Sequence, residues 1–133
     1  MPRVAGYSAT PQSRKLGLKD GTRLAVVGAP EGWPLEAPPA VENVDGDDAA
    51  DVILAFVRDL ATLDGGIGGW GRRIAPAGMV WVLWPRKAAG HRSEVDENAI
   101  REAALVRGLV DVKVAAVDTD WSGLKLVWRK ENR

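Results

Sequence analysis

The chain has 133 residues, a length that one core can serve, since a chain of this size buries roughly two thirds of its unfolded surface without splitting. Apolar residues make up 46% and charged residues 27%, which excludes wholesale disorder and a coiled coil; 18 Lys plus Arg against 18 Asp plus Glu removes the field a phosphate-backbone binder uses, so no nucleic-acid partner is expected. The absence of cysteine excludes a disulfide framework, a thiolate nucleophile and a Cys-ligated metal, and no apolar leader or run of about 18 apolar residues occurs, so a cytoplasmic address away from membranes is expected.

In chain order, residues 1–9 are expected to be a flexible lead-in. Thr10 and Pro11 then form a helix opening, cap followed by a first-turn proline, for a short helix from Pro11 to Leu16 that Gly17 stops. Arg23 to Gly28 carries Leu24, Ala25, Val26 and Val27 without alternation, the pattern of a strand covered on both faces, as in parallel sheets. Pro30, Gly32, Pro34, Pro38 and Pro39 bar a helix from the next segment. A brief strand from Val41 to Val44 and an acidic turn at Asp45, Gly46, Asp47 and Asp48 lead to a second buried strand, Asp51 to Val57.

Between Arg58 and Ile74 two signals conflict. Gly65, Gly66, Gly68, Gly69 and Gly71 each cost a helix about 1 kcal/mol against Ala, yet Leu60, Leu63, Ile67, Trp70 and Ile74 recur at steps of three and four. The stripe predicts a helix, weakened or kinked in its middle. Pro76, Ala77 and Gly78 read as a tight turn into a third buried strand, Met79 to Trp84, ended by Pro85. Asp96 is the expected N-cap of a helix that Val95 and Ile100 staple and that Arg107 and Gly108 end. A terminal hairpin follows, Val110 to Val117 and Leu124 to Arg129, with Leu124, Leu126 and Trp128 on one face.

This order, together with LGLKDGTRLAVVGAP and IAPAGMVWVLWP, resembles class I methyltransferases, whose last strand inserts antiparallel into a mostly parallel sheet. The fold class expected is therefore α/β: a single three-layer Rossmann-like domain over residues 1–133 with a C-terminal antiparallel hairpin, a truncated version of that plan. GYSATPQSRKLGLKDG, VVGAPEGW, ADVILAFV, WPRKA and GLVDVKVAAVDTDWSGLKLVWRK resemble a family of small bacterial proteins known only as domain of unknown function 3052. That resemblance implies no activity, substrate or catalytic residue.

In open parallel sheets ligands bind beyond the carboxyl ends of the strands, which points to the loops after Gly28, Val57, Trp84 and Val117. The candidate ligand-binding residues there are Pro30, Glu31, Trp33, Trp84, Arg86, Lys87, Asp118, Asp120, Trp121 and Ser122, a mixture of rings and charges of both signs suited to a small polar or anionic ligand. Arg86, Lys87, His91 and Arg92 form a basic loop for a phosphate or carboxylate, although solvated charge, or an ion pair with Asp118 and Asp120, explains the same residues. Trp33, Trp84 and Trp121 fit core packing and recognition equally well.

No cofactor is expected. The turn after Gly28 lacks a G-x-G core, is stiffened by Pro30 and Pro34 and runs into no helix, which leaves Glu31 and Asp45 as the only ribose partners for S-adenosylmethionine or a dinucleotide. His91 is the only histidine for Ser93 or Ser122, and neither serine sits in a nucleophile elbow; the spacing of Asp45, Asp47, Asp48 and Asp51 is not that of a calcium loop. The leading expectation is a non-catalytic binding or interaction module on a degenerate methyltransferase-like scaffold. A small-molecule enzyme using Glu31, Lys87, Asp118 and Trp121, possible dependence on S-adenosylmethionine or a nucleotide included, and a homodimeric structural protein stand as alternatives.

Overall fold

The computed structural model describes residues 12–35, 38–87, 90 and 93–133. The expectations for residues 1–9, for the Thr10 cap with its Pro11 start, and for His91 and Arg92 lie outside the described residues. The apolar runs become β1 (Arg23–Val27), β3 (Ala50–Phe56) and β4 (Ile74–Pro85), parallel to one another, with the short β2 (Glu42–Asn43) beside β1. Of the terminal pair, β6 (Trp121–Trp128) inserts antiparallel between β4 and β5 (Leu109–Ala116). The six-stranded order is β2-β1-β3-β4-β6-β5, the mixed Rossmann-like sheet with a C-terminal antiparallel pair that the chain order implies.

Both faces of this sheet are covered, as parallel strands require. Helices α2 (Leu60–Arg73) and α3 (Glu97–Leu105) bury Ile53, Ala55, Val80, Val82, Leu124 and Leu126 on one face. The opposite face, with Leu24, Val52, Leu54, Phe56, Trp81 and Leu83, is covered by the single turn α1 (Gln12–Lys15), by Leu16 and Leu18 behind it, and by the proline-rich loop through Ala29, Trp33 and Leu35. Three side chains fix α1 in place: Gln12 Nε2 donates to Val117 O, Lys15 Nζ to Ala116 O, and the buried Trp81 indole to Leu16 O.

Three local expectations change in the structure. Pro76 to Gly78 do not precede β4 but lie within it, as an irregularity between the pairs Ala50↔Ile74 and Val52↔Met79; Ile74 joins the ladder first, and the turn residues bulge out. Trp121, Ser122 and Gly123 are strand, not turn, because an inserted strand draws ladder bonds from both neighbours: Ser122 pairs with Trp84 and Ala116, and Gly123 with Leu83 and Ala115. Leu60 is not part of the buried stripe; it stands in the first turn of α2, beyond the end of the sheet, and is 38% exposed.

The helix α2 is continuous through its glycines, capped by Asp59, whose Oδ1 accepts from Thr62 N at 2.7 Å. Packing accounts for some of those glycines and not for others. A Cβ on Gly66 would overlap the Trp70 indole, and one on Gly71 would stand 3.3 Å from Leu109 and from Trp128, whose Nε1 donates to Gly71 O. A Cβ on Gly65 would meet nothing within 4 Å.

At the amino ends of the strands, Asp51 Oδ2 accepts from Arg23 N at 2.9 Å while its Oδ1 accepts from Arg23 Nη2 at 3.0 Å. This pair fixes the β1–β3 register, and the Arg23 side chain holds the Asp51 carboxyl below its ordinary range. A carboxylate with a lowered folded pKa stabilises above the ordinary carboxylate range and loses that contribution as pH falls through the folded value. Two outcomes follow. Asp51→Asn is expected to denature at lower urea concentration than the wild type at neutral pH, with the gap closing in acid; a gap independent of pH would refute the assigned role. Gly66→Ala is expected to cost about 1–3 kcal/mol by displacing Trp70, whereas its neighbour Gly65→Ala gains about 0.5–1 kcal/mol through helix propensity. Urea midpoints of the two variants check this opposition of sign.

Candidate functional site

The carboxyl ends of β1, β3, β4 and β5 meet along one edge of the sheet. There β1 leaves through Gly28, at φ +70, where a Cβ would stand 2.9 Å from Phe56 O; only glycine lets the chain bend this closely over the end of β3. No helix follows among the described residues. Instead the chain closes a turn in which Trp33 N donates to Pro30 O at 3.0 Å and lays Trp33 edge-on against Phe56, ring centres 4.9 Å apart. Phe56 makes the same kind of contact with Trp121 on its other side, at 4.9 Å.

Asp118 holds this row of rings. Its Oδ2 accepts from Trp33 Nε1 at 2.8 Å, and its Oδ1 accepts from the backbone N–H groups of Asp120 and Trp121, each at 2.8 Å. The carboxylate is thus engaged on both oxygens and joins the loop after β1 to the β5–β6 connection. Two arginines complete the edge. The Arg58 guanidinium lies over the Trp121 ring at 5.0 Å and donates to Gly28 O, while Arg86 donates through Nη1 to the carbonyls of Asp118 and Thr119.

Of the ten sequence-predicted residues, Pro30, Glu31, Trp33, Asp118, Asp120 and Trp121 line one shallow cleft of about 390 Å³. The other four stand apart from it. Trp84 is buried in the core under the helices, Ser122 is its ladder partner on β6, Arg86 is bound to backbone carbonyls, and Lys87 is exposed beyond β4. Sequence reasoning missed Gln12, which lines the cleft, and Phe56, on which both indoles rest. Phe56 was legible as a side chain near the end of the buried strand Asp51 to Val57, next to a candidate loop; Gln12 carried no signal, because its place depends on where α1 docks.

A second hollow, of about 540 Å³, opens on the helix-covered side of β1. Asp45 lies there and not with Glu31, so the two candidate ribose partners line different hollows. Among the described residues no group of three or more His, Cys, Asp or Glu is placed to hold a metal ion. None of the helices is long and apolar enough to cross a membrane, among the residues described.

For S-adenosylmethionine, the cofactor that the fold's relatives imply, the residues present do not fit. Among the described residues no helix starts between β1 and β2 to offer the donors it would need, and the Trp33 ring is packed on Phe56 at the end of β3.

Solved structures with the same architecture include several titled as methyltransferases. A putative methyltransferase from Thermoplasma acidophilum superposes with a TM-score of 0.56 at 8% identity, covering 92% of this chain and 76% of that one. The fibrillarin pre-rRNA processing protein of Methanococcus jannaschii gives 0.57 at 12% identity, over 92% of this chain and 70% of that one. Magnesium protoporphyrin IX methyltransferase from Synechocystis PCC 6803, solved with bound SAM, gives 0.56 at 10% identity, over 83% and 71%. At such identities the likeness establishes the fold alone. No curated protein matches the sequence. The model of the family described as protein of unknown function DUF3052 matches residues 39–130, most of the chain, and the protein belongs to that family.

Proposed function

We propose that this protein is a non-catalytic binding or interaction module on a methyltransferase-like scaffold, with no cofactor of its own. The observation that carries the reading is the Trp33 indole seated on Phe56 and hydrogen-bonded to Asp118, where the loop after β1 would otherwise receive a nucleotide-like group. A cofactor site of that type needs free backbone N–H groups at a helix start. This loop spends its turn on Trp33 N to Pro30 O. The cleft that remains is lined by Trp33, Trp121, Pro30 and Glu31 among others, rings and a carboxylate that favour a small polar ligand bearing hydrogen-bond donors.

A small-molecule enzyme at the same cleft is the second reading, favoured by the convergence of six predicted residues on one hollow. Its weakness is chemical: both oxygens of Asp118 are engaged and Lys87 does not line the cleft, so two of the four residues that reading relies on are not free to act there.

Calorimetry and thermal melts separate the readings. With S-adenosylmethionine, S-adenosylhomocysteine or a dinucleotide, no binding heat and no rise in melting temperature are expected; a micromolar dissociation constant for any of them would sink the proposal. Trp33→Ala is expected to lower stability by about 1–3 kcal/mol, since it removes ring contacts and leaves Asp118 one donor short. If that variant melts like the wild type, Trp33 does not hold the loop in place and the argument from the plugged crevice fails.

A further inference from the structure

A bulge in β5 decides which way two charges face. Asp111 pairs with Leu126 and Lys113 with the next residue back, Lys125, so Val112 is the extra residue between them. In an unbroken strand Asp111 and Lys113 would share a face. The bulge separates them. Leu126 lies in the core under the helices, so Asp111 turns to that side, where its Oδ2 accepts from Arg101 Nε of α3 at 3.0 Å. Lys125 pairs with Trp81 on β4, and Trp81 belongs to the opposite core, so Lys125 and Lys113 come out together on the face that carries α1.

The result is a surface of one sign on a chain whose formal net charge is zero. Side chains directly opposite on neighbouring strands stand about 5 Å apart at Cβ, and like charges so placed cost stability. Among the described residues no hydrogen bond or ion pair engages either lysine side chain. No carboxylate of their own elements offsets them. β6 has no acidic residue, and β5 has Asp111 alone, which faces the other way. The helical turn α1, docked on this face where the Trp81 indole donates to Leu16 O, has none either and ends on Arg14 and Lys15.

A lysine on an edge strand is accounted for by the need to keep other strands from pairing with it. That explains Lys113. It does not explain Lys125, because β6 is paired on both sides; an uncharged residue such as methionine would cover the sheet as well as the lysine stem does. Beside the two lysines, Val110 and Val127 stand opposite each other on the same face, both half-buried. Neither lysine lines the strand-end cleft or the hollow beside β1, so what they meet lies on a surface and not in a pocket.

We infer that this face docks an acidic protein segment, an extended peptide with carboxylates and aliphatic side chains on one side. The carboxylates meet Lys113 and Lys125, and the aliphatic groups meet Val110 and Val127. Alternate residues of an extended chain lie about 7 Å apart on one side, a spacing that two opposed lysine side chains span by splaying. Charge complementarity selects the partner, and the rest of the surface narrows it. A nucleic acid would bring a phosphate array to a chain of no net positive charge, and the indoles of β6 offer no platform for a base here: Trp128 packs on the helix side and Trp121 is buried.

The test is a titration of the isotope-labelled protein with an end-blocked peptide of alternating Glu and Val, followed by amide spectra. Saturable shifts are expected at Val110, Lys113, Lys125 and Val127, with a dissociation constant at or below about 1 mM that weakens as salt is raised. Lys125→Glu is expected to reduce binding at least about tenfold, the loss of one charge-assisted contact. The same variant is expected to melt at a higher temperature than the wild type, because it sets opposite charges across the two strands; loss of binding in a more stable protein is not a folding defect. Lys125→Arg, which keeps the charge, is expected to retain binding. The proposal is overturned if no saturable shift appears, if the peptide with Gln in place of Glu binds as tightly, or if Lys125→Glu binds like the wild type. A single-stranded oligonucleotide or a vesicle of anionic lipid that moves the same amides at lower concentration than the peptide overturns it too. So does a concentration-dependent dimer that Lys125→Glu dissolves, which would give the face to a second copy of the chain. The inference names a partner for the interaction reading at a face separate from the strand-end cleft; S-adenosylmethionine binding and peptide binding are read in separate titrations, so either can fail without the other.

Discussion

The structure is organised by one contact set, the Trp33 indole on Phe56 with its N–H on Asp118. It joins three elements far apart in sequence: the exit of β1, the end of β3 and the connection between β5 and β6. Asp118 has two oxygens, and one serves this bond while the other orders the backbone of its own turn, so turn and loop are fixed by the same carboxylate. A neutral indole donor on an ionised acceptor is a stronger bond than one between neutral groups. Placed at the edge of the sheet and backed by two ring contacts, it is enough to hold a loop that has no helix of its own.

That loop answers a problem set by chain length. A mostly parallel sheet must be covered on both faces, and larger doubly wound domains meet the need with a helix in every crossover. Here, among the described residues, only two crossovers keep full helices, α2 and α3, both on one face. The other face is closed by one helical turn and by Ala29, Trp33 and Leu35 of the proline-rich segment. Prolines suit this work, because a chain with preset φ angles loses less entropy when it is laid in a fixed path over a sheet. The cover ends before the β1–β2 margin: Val26 on that side remains 43% exposed, and the hollow across β1 is the counterpart of a missing helix on the other face.

The sequence made the central strands legible because their apolar runs are governed by burial on two faces, a property local to five or six residues. Asp96 was legible for a similar reason: an N-cap needs only a carboxylate and the N–H three residues on, and Asp96 Oδ1 accepts from Ala99 N at 2.9 Å. What the sequence concealed depends on partners elsewhere. Ser122 and Gly123 look like turn residues until two neighbouring strands claim them. Leu60 fits the stripe of α2 by spacing, yet the sheet ends before it. The loops after the strands do meet at one edge, but whether a given residue lines the cleft, as Glu31 does, or is spent on a carbonyl, as Arg86 is, depends on geometry of a few ångströms.

The glycines of α2 show how one composition can serve opposite ends. At Gly66 and Gly71 the missing side chain is a packing requirement, for Trp70 in one case and for Leu109 and Trp128 in the other. Among the described residues nothing occupies the space at Gly65, and at Gly69 the tip of Arg72 alone approaches it. Hydrophobic periodicity could predict that the helix forms, because Leu63, Ile67 and Trp70 carry it against the sheet whatever lies between them. It could not divide the glycines into those the core demands and those that face a hollow, since that division is made by β1 and the turn from Asp45 to Asp48. Fold likeness to methyltransferases is equally silent on the point, because what a shared scaffold does is decided by the side chains placed on it, and here those side chains fill one crevice while leaving another open.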